Sequence, residues 1–339
     1  MSVPELLQAV ESAWHRRSSF MARCAQEQTS CYRLFHGSAE GGAGVTIDRY
    51  AETVLVQTFH QSLTDAELEG LELFYKGELP LCTLIYNDRS ATNSRYQNTL
   101  SPSLETFAKT RQVGLELGMK VACQARHQGQ DPLLFLDLRV VRRYLQASSA
   151  GKSVLNTFAY TCGAGVAAAL GGAKQVINVD FAESSLAVGK ENAALNDLST
   201  DVIKFVQDDY FAVVRQFAGL NVGGRRGQNR GKIRKRPVQQ FDLVLLDPPR
   251  WAKSPFGVVD LVNDYASVFK PALLSTAEGG VLICTNNVAK VASGQWLEQL
   301  QRAAQKAGRP AKQLQLLTPE EDFPSFDDQP PLKVAVLEV

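Results

Sequence analysis

Six apolar runs of strand length, spaced by stretches of helical character, constrain this chain more than any other feature. They are "SVLNTF", "QVINVD", "VIKFVQDD", "FDLVLLD", "GGVLICTNN" and "LKVAVLEV". Their apolar residues are consecutive rather than alternate, as in strands covered on both faces. "AGVAAALGGA" and "SLAVGKENAALND" lie between the first three and read as helices. From about residue 111 to residue 339, strand–helix alternation predicts an α/β domain with a parallel sheet. Ligands of such sheets sit at the carboxyl ends of the strands, so the residues ending each run carry the functional information.

Ahead of that domain the pattern differs. Within residues 1–31, Leu7, Val10 and Trp14 stand at helical spacing and predict a leading helical segment. Residues 32–110 read as a small α+β domain. There "GVTIDRY" and "TVLVQTF" alternate as a hairpin does, with Ala51 and Glu52 at the turn. A helix capped at Thr64 and stopped at Gly77 follows, then the strand "LCTLIYND".

The 45% apolar and 21% charged content is that of a soluble globular chain, and no run approaches a membrane span. Six cysteines (Cys24, Cys31, Cys82, Cys123, Cys162, Cys284) occur without a C-x-x-C pair, beside only four histidines. Neither a metal site nor a disulfide framework is expected, and free thiols suit the cytoplasm. The net charge of +1 says little, but its distribution matters. Residues 221–240, "NVGGRRGQNRGKIRKRPVQQ", hold seven basic side chains and no acid, and read as a flexible basic insert.

After "SVLN" comes "TFAYTCGAGVAA", in which Gly163, Gly165 and Ala168 satisfy G-x-G-x-x-A. A dinucleotide fold puts its first glycine almost at the strand end. Here the turn from Asn156 to Gly163 is longer, which suits a ligand lying across the strand ends without a pyrophosphate. Asp180 ends the next strand, where a carboxylate accepts hydrogen bonds from ribose hydroxyls of NAD or S-adenosylmethionine, or else caps a helix. Asp208 and Asp209 end the third strand, where an acid meets an adenine amino group.

"FDLVLLDPPRW" places Asp247, Pro248, Pro249, Arg250 and Trp251 at the same rim. Prolines lack N–H groups and fix φ near −65°, so the carbonyls around them stand as rigid acceptors beside the Asp247 carboxylate. Such a group suits a planar heterocycle bearing an amino or ring N–H, with Trp251 available to stack on its face. A plain strand-ending turn explains the prolines alone, but not the acid, prolines and indole together.

This segment resembles the Asp/Asn-Pro-Pro-aromatic motif of class I S-adenosylmethionine-dependent nucleic-acid methyltransferases. The chain is most similar to the bacterial 23S rRNA large-subunit methyltransferases of the I and K types. "GVTIDRYAETVLVQTF", "LFLDLRVVRRYL", "VLNTFAYTCGAGVAAALGGA", "LDPPRWAKS" and "GGVLICTNN" carry the likeness, in consistent order from about residue 32 onward. The resemblance implies a Rossmann-like methyltransferase domain behind a small α+β domain, with S-adenosylmethionine as cofactor and RNA, 23S rRNA or a ribosomal precursor, as partner. It assigns Asn156, Phe158, Tyr160, Thr161, Cys162 and Gly163 to the cofactor loop. Asp180 becomes the ribose ligand and Asp209 the adenine-side acid. Asp137 and Arg139 match a signature near the methionine moiety or substrate, or form an ordinary ion pair. Two departures stand out: 31 residues are too few for the PUA module with which family members often begin, and Cys162 stands where glycine is usual.

C5-cytosine methylation needs a cysteine nucleophile. The branch with that activity reads Ser-Cys-Ser where this chain has Thr285, Asn286 and Asn287, so Asn286 takes the nucleophile's place. The branch that methylates guanine N7 reads Ser-Asn-Asn and is the better match. N7 carries an in-plane lone pair and needs alignment rather than a base. The expected enzyme is therefore an RNA methyltransferase acting on a base nitrogen, with Asp247, Pro248 and Asn286 in the catalytic set and Pro249, Trp251 and Arg139 on the substrate. C5-cytosine methylation, an NAD-dependent oxidoreductase and a non-catalytic RNA-binding protein are the rival readings. The basic insert precedes the "FDLVLL" strand and so leaves the sheet opposite the active rim, where it would tether RNA away from the target base.

Overall fold

Ala51 adopts a left-handed φ of 54°, and the chain folds back on itself there. Strand β1 (Cys31–His36) pairs antiparallel with β2 (Val45–Tyr50), which pairs antiparallel with β3 (Thr53–Thr58). A parallel partner, β4 (Thr83–Asp88), completes a four-stranded sheet. Helices α1 (Val3–Arg16), α2 (Ser18–Gln26), α3 (Gly37–Glu40), α4 (Asp65–Glu78), α5 (Ser94–Gln97) and α6 (Pro102–Lys109) accompany it. The start of α4 is fixed by a capping box, in which Thr64 Oγ1 accepts from Glu67 N–H and the Glu67 carboxylate accepts from Thr64 N–H.

In this computed structural model, residues 3–127, 131–222, 233–325, 327 and 330–339 are described. The chain divides into two units, Met1–Arg139 with Glu320–Phe326, and Val140–Pro319 with Asp327–Val339. The division departs from the sequence boundaries at 31 and 110. Leu6, Val10 and Ala13 of α1 and Phe20 and Cys24 of α2 pack with Tyr32, Leu34 and Phe35 in one core, so the leading helices belong to the first unit. So does residue 111 onward, because β5 (Gln112–Glu116) and β6 (Met119–Cys123) form an antiparallel hairpin rather than the start of an α/β alternation.

The second unit carries helices α7 (Arg139–Ser148), whose first residue closes the first unit, α8 (Gly163–Leu170), α9 (Glu183–Leu195), α10 (Tyr210–Phe217), α11 (Ala266–Leu274) and α12 (Ser293–Lys306). Its parallel strands are β7 (Ser153–Thr157), β8 (Gln175–Asp180), β9 (Ile203–Gln207), β10 (Phe241–Leu246) and β13 (Thr276–Asn286). A small hairpin, β11 (Trp251–Lys253) and β12 (Val258–Asp260), follows β10. The last strands, β14 (Gln313–Leu316) and β15 (Lys333–Glu338), add antiparallel partners, giving the order β14-β15-β13-β10-β7-β8-β9. The burial of β10 explains its unbroken apolar run: Phe241, Leu243, Val244, Leu245 and Leu246 are all at most 1% exposed.

Strand order reverses between β7 and β10, since β8 and β9 lie on one side and β13 on the other. The loops after β7 and β10 therefore part at a topological switch point, where open α/β sheets bind ligands. Register places the two loops side by side, with Thr157 opposite Leu246.

Candidate active site

The loop after β7 is unusual in its backbone. Phe158, Tyr160 and Cys162 have φ of 52°, 48° and 60°, a left-handed conformation that side chains other than glycine seldom adopt. Such strain gathers where the surrounding structure imposes it, commonly at binding sites. Phe158 is held by stacking on Tyr210, with ring centroids 4.6 Å apart. Tyr160 N–H donates to Asp180 Oδ2 at 2.8 Å, and the Thr161 carbonyl accepts from Asn192. Cys162 explains the usual glycine at its position, because its φ favours one. The thiol is accommodated by a second glycine: a Cβ at Gly189 would lie 2.5 Å from Cys162 Sγ. Burial pushes that thiol well above the ordinary range, so it serves as packing.

G-x-G-x-x-A also acquires a structural cause. A Cβ on Gly165 would lie 2.0 Å from Asn178 Oδ1, so the glycine lets α8 approach β8. Asn178 in turn accepts from Asn156 Nδ2 at 2.8 Å and donates to the Lys204 carbonyl. Asn156 is thus a buried strut between strands behind the loop, not a residue on its surface. Gly163 begins α8 and is buried.

Asp180 ends β8. Its two oxygens accept from Tyr160 N–H and Ala182 N–H, and burial raises its pKa against those bonds. A carboxylate has about four lone-pair sites, so capacity remains for a ligand diol. The next residue, Phe181, is 73% exposed, a large aromatic face beside that acid. Asp209 caps α10 through Oδ1, which accepts from Ala212 N–H at 3.1 Å. These groups fit S-adenosylmethionine: an acid for ribose hydroxyls, an aromatic face for a purine, and a second acid at the neighbouring strand end. Sequence reading passed over Phe181; the available signal was an aromatic directly after a strand-ending acid, where alternation turns it outward.

At the end of β10, Asp247 Oδ1 accepts from Thr285 Oγ1 at 2.5 Å, and the Thr285 carbonyl accepts from Tyr265 Oη at 2.8 Å. Pro248 is buried, whereas Pro249 and Arg250 are exposed. Trp251 is 62% exposed on the β11–β12 hairpin, whose opposite face sets Val259 and Ala252 against the core. Asn286, expected at the base, is instead fully buried: its Oδ1 accepts from Val288 N–H at 2.9 Å. Asn287 is the exposed amide of the pair. Cys284 is fully buried, and burial pushes its thiol far up.

Asp137 and Arg139 lie in the first unit. Asp137 sits in the 3₁₀ turn Leu136–Leu138. Arg139 is 1% exposed, and its guanidinium binds Asp322 at 2.7 Å, with Glu116 at 3.5 Å. Its ionic partners are thus Asp322 and Glu116 rather than Asp137, and a side chain so enclosed has no face to offer a substrate.

Residues 223–232 of the basic run, with Arg225, Arg226, Arg230 and Lys232, lie outside the described residues. The remainder corrects the expectation that the run stays away from the active rim. Gln216 holds it against α10 by bonds to the Arg234 carbonyl and Arg236 N–H. Arg236 then reaches Asp208, at the end of β9, with a 3.0 Å ion pair.

Comparison with known proteins agrees with this geometry. Residues 84–337 match the family model described as S-adenosylmethionine-dependent methyltransferase. A ribosomal RNA large subunit methyltransferase I from Aeromonas hydrophila is 30% identical over 301 residues, covering 86% of this chain and 70% of that protein. A protein of the same name from Escherichia coli O9:H4 is 27% identical, covering 88% of this chain and 71% of that protein. In fold, the chain is similar to SMU.776, solved in complex with SAH, with TM-score 0.78, 24% identity, and coverage of 100% of this chain and 82% of that one. The chain belongs to the S-adenosylmethionine-dependent methyltransferases. It is an enzyme of that class, with a Rossmann-like fold, and the oxidoreductase and non-catalytic readings fall away.

Proposed function

We propose that this enzyme methylates a base nitrogen of RNA, guanine N7 of 23S rRNA above others, in the cytoplasm. One observation carries the choice of atom: the end of β13 offers no usable thiol. Asn286 stands where a C5-cytosine enzyme needs its nucleophile, and Cys284 is enclosed and fully protonated at neutral pH. The names of the Aeromonas and Escherichia relatives support rRNA as the substrate.

S-adenosylmethionine, when bound, supplies the electrophilic methyl group. Asp180 and Asp209 would hold its ribose and adenine, with Phe181 against the ring. Thr285 fixes Asp247 by donating to it, so the carboxylate stands ready to accept from a base N–H. Pro248 and Pro249 keep the rim rigid, and Trp251 offers a stacking face. No residue need remove a proton, because N7 attacks with a free lone pair, so alignment accounts for the rate.

Purified enzyme, S-adenosylmethionine and rRNA from a strain lacking the gene should yield 7-methylguanosine on nucleoside mass spectrometry. Asp180→Ala should yield none and fail to bind S-adenosylhomocysteine. Formation of 5-methylcytidine would refute the nitrogen assignment.

A further inference from the structure

Lys333 opens β15 directly opposite Asn286 of β13. It is 2% exposed, in a strand whose other residues through Leu337 are apolar and buried. Among the described residues no carboxylate lies within ion-pairing distance of it. The only side-chain bond it makes there is Nζ donating to the Val288 carbonyl at 3.1 Å. An enclosed ammonium without a counter-ion is costly, and an apolar residue would serve the sheet better. Asn286 beside it is equally uneconomical: fully buried, it uses Oδ1 on Val288 N–H and leaves Nδ2 without a partner.

The two side chains have one target in common. Lys333 takes the carbonyl and Asn286 the N–H of Val288, so this residue is gripped at both polar groups. The turn so fixed carries Asn287, which is exposed and engages no partner among the described residues. It lies two residues beyond Thr285, the donor that orients Asp247. An amide presents both a donor and an acceptor, the complement of a nucleobase edge.

We propose that Asn287 contacts the edge of the target base and that Lys333 is the positioning residue that holds it there by clamping Val288. The inference rests on the RNA-base reading above. That role accounts for a buried lysine that the sheet does not need.

The test measures transfer of tritiated methyl to rRNA from a strain lacking the gene, with S-adenosylhomocysteine affinity and melting temperature alongside. Lys333→Met should lower kcat roughly ten- to hundredfold, as misplaced contacts do. It should leave S-adenosylhomocysteine affinity within about twofold and the melting temperature no lower than that of the wild type. Asn287→Ala, a change at an exposed side chain, should show the same loss, and the double variant should be no worse than either. Wild-type activity in Lys333→Met or Asn287→Ala, additive losses, or a fall in both melting temperature and kcat for Lys333→Met would overturn the proposal. If the wild type itself transferred no methyl to rRNA, the RNA reading would fall and this inference with it.

Discussion

Cys284 and Asn286 illustrate how far single residues decide the chemistry. They share a face of β13, yet neither is at the surface. A thiol buried beside Tyr265 stays protonated and acts as a small apolar side chain. Cys284→Ala should therefore cost about 1–2 kcal/mol of stability and leave methyl transfer intact. RNA carrying 5-fluorocytidine should form no covalent adduct resistant to denaturing gel electrophoresis; an adduct lost in Cys284→Ala would reverse the nitrogen assignment. Residue types such as Asp180 and Asp247 were readable from their positions at strand ends. The burial of Asn286 and Arg139 was not, because it depends on partners remote in sequence. Arg139 is answered by Asp322, 183 residues away.

Elements with local causes were legible, and those with unusual turn chemistry were not. Thr64, Ala51 and the apolar runs of β7, β8, β10, β13 and β15 announced themselves. The β5–β6 hairpin escaped because its two-residue turn is Leu117–Gly118, with φ of 52° and 76°. A tight turn of this kind favours asparagine or aspartate at the first position, and leucine gives no such signal. At the end of β1, His36 has a pH consequence. Burial, and then the charge of Arg33, whose Nη1 is 2.8 Å from His36 Nδ1, lower its pKa to about 4. An unfolded histidine titrates near 6.5, so between about 6.5 and 4 only the unfolded chain takes up this proton. The contribution is present above that window and lost as pH falls through it, by at most about 3 kcal/mol. Asp322 acts in the opposite sense: burial raises it to about 6 despite Arg139, so the folded chain gains its proton first on acidification. In calorimetric melts, His36→Gln should lose less stability than the wild type from pH 6.5 to pH 4; equal losses would contradict this.

At the scale of the whole molecule, the parallel sheet was legible but its division was not. Residues 320–326 belong to the first unit although they lie between β14 and β15 of the second, and no composition shift marks them. The basic run joins charge to the active rim through Arg236 and Asp208. Replacing Arg225, Arg226, Arg230 and Lys232 by glutamine should flatten the salt dependence of RNA binding by about 0.7–0.9 in log–log slope for each phosphate left unneutralised. S-adenosylhomocysteine binding should not change; an unaltered slope would show that the run neutralises no phosphates. Mass-spectrometric mapping of 23S rRNA from a deletion strain tests the proposed methylation of a guanine nitrogen most directly. One 7-methylguanosine should disappear and return with the wild-type gene but not with Asp180→Ala; unchanged 23S modification, or loss of a 5-methylcytidine instead, would contradict the account.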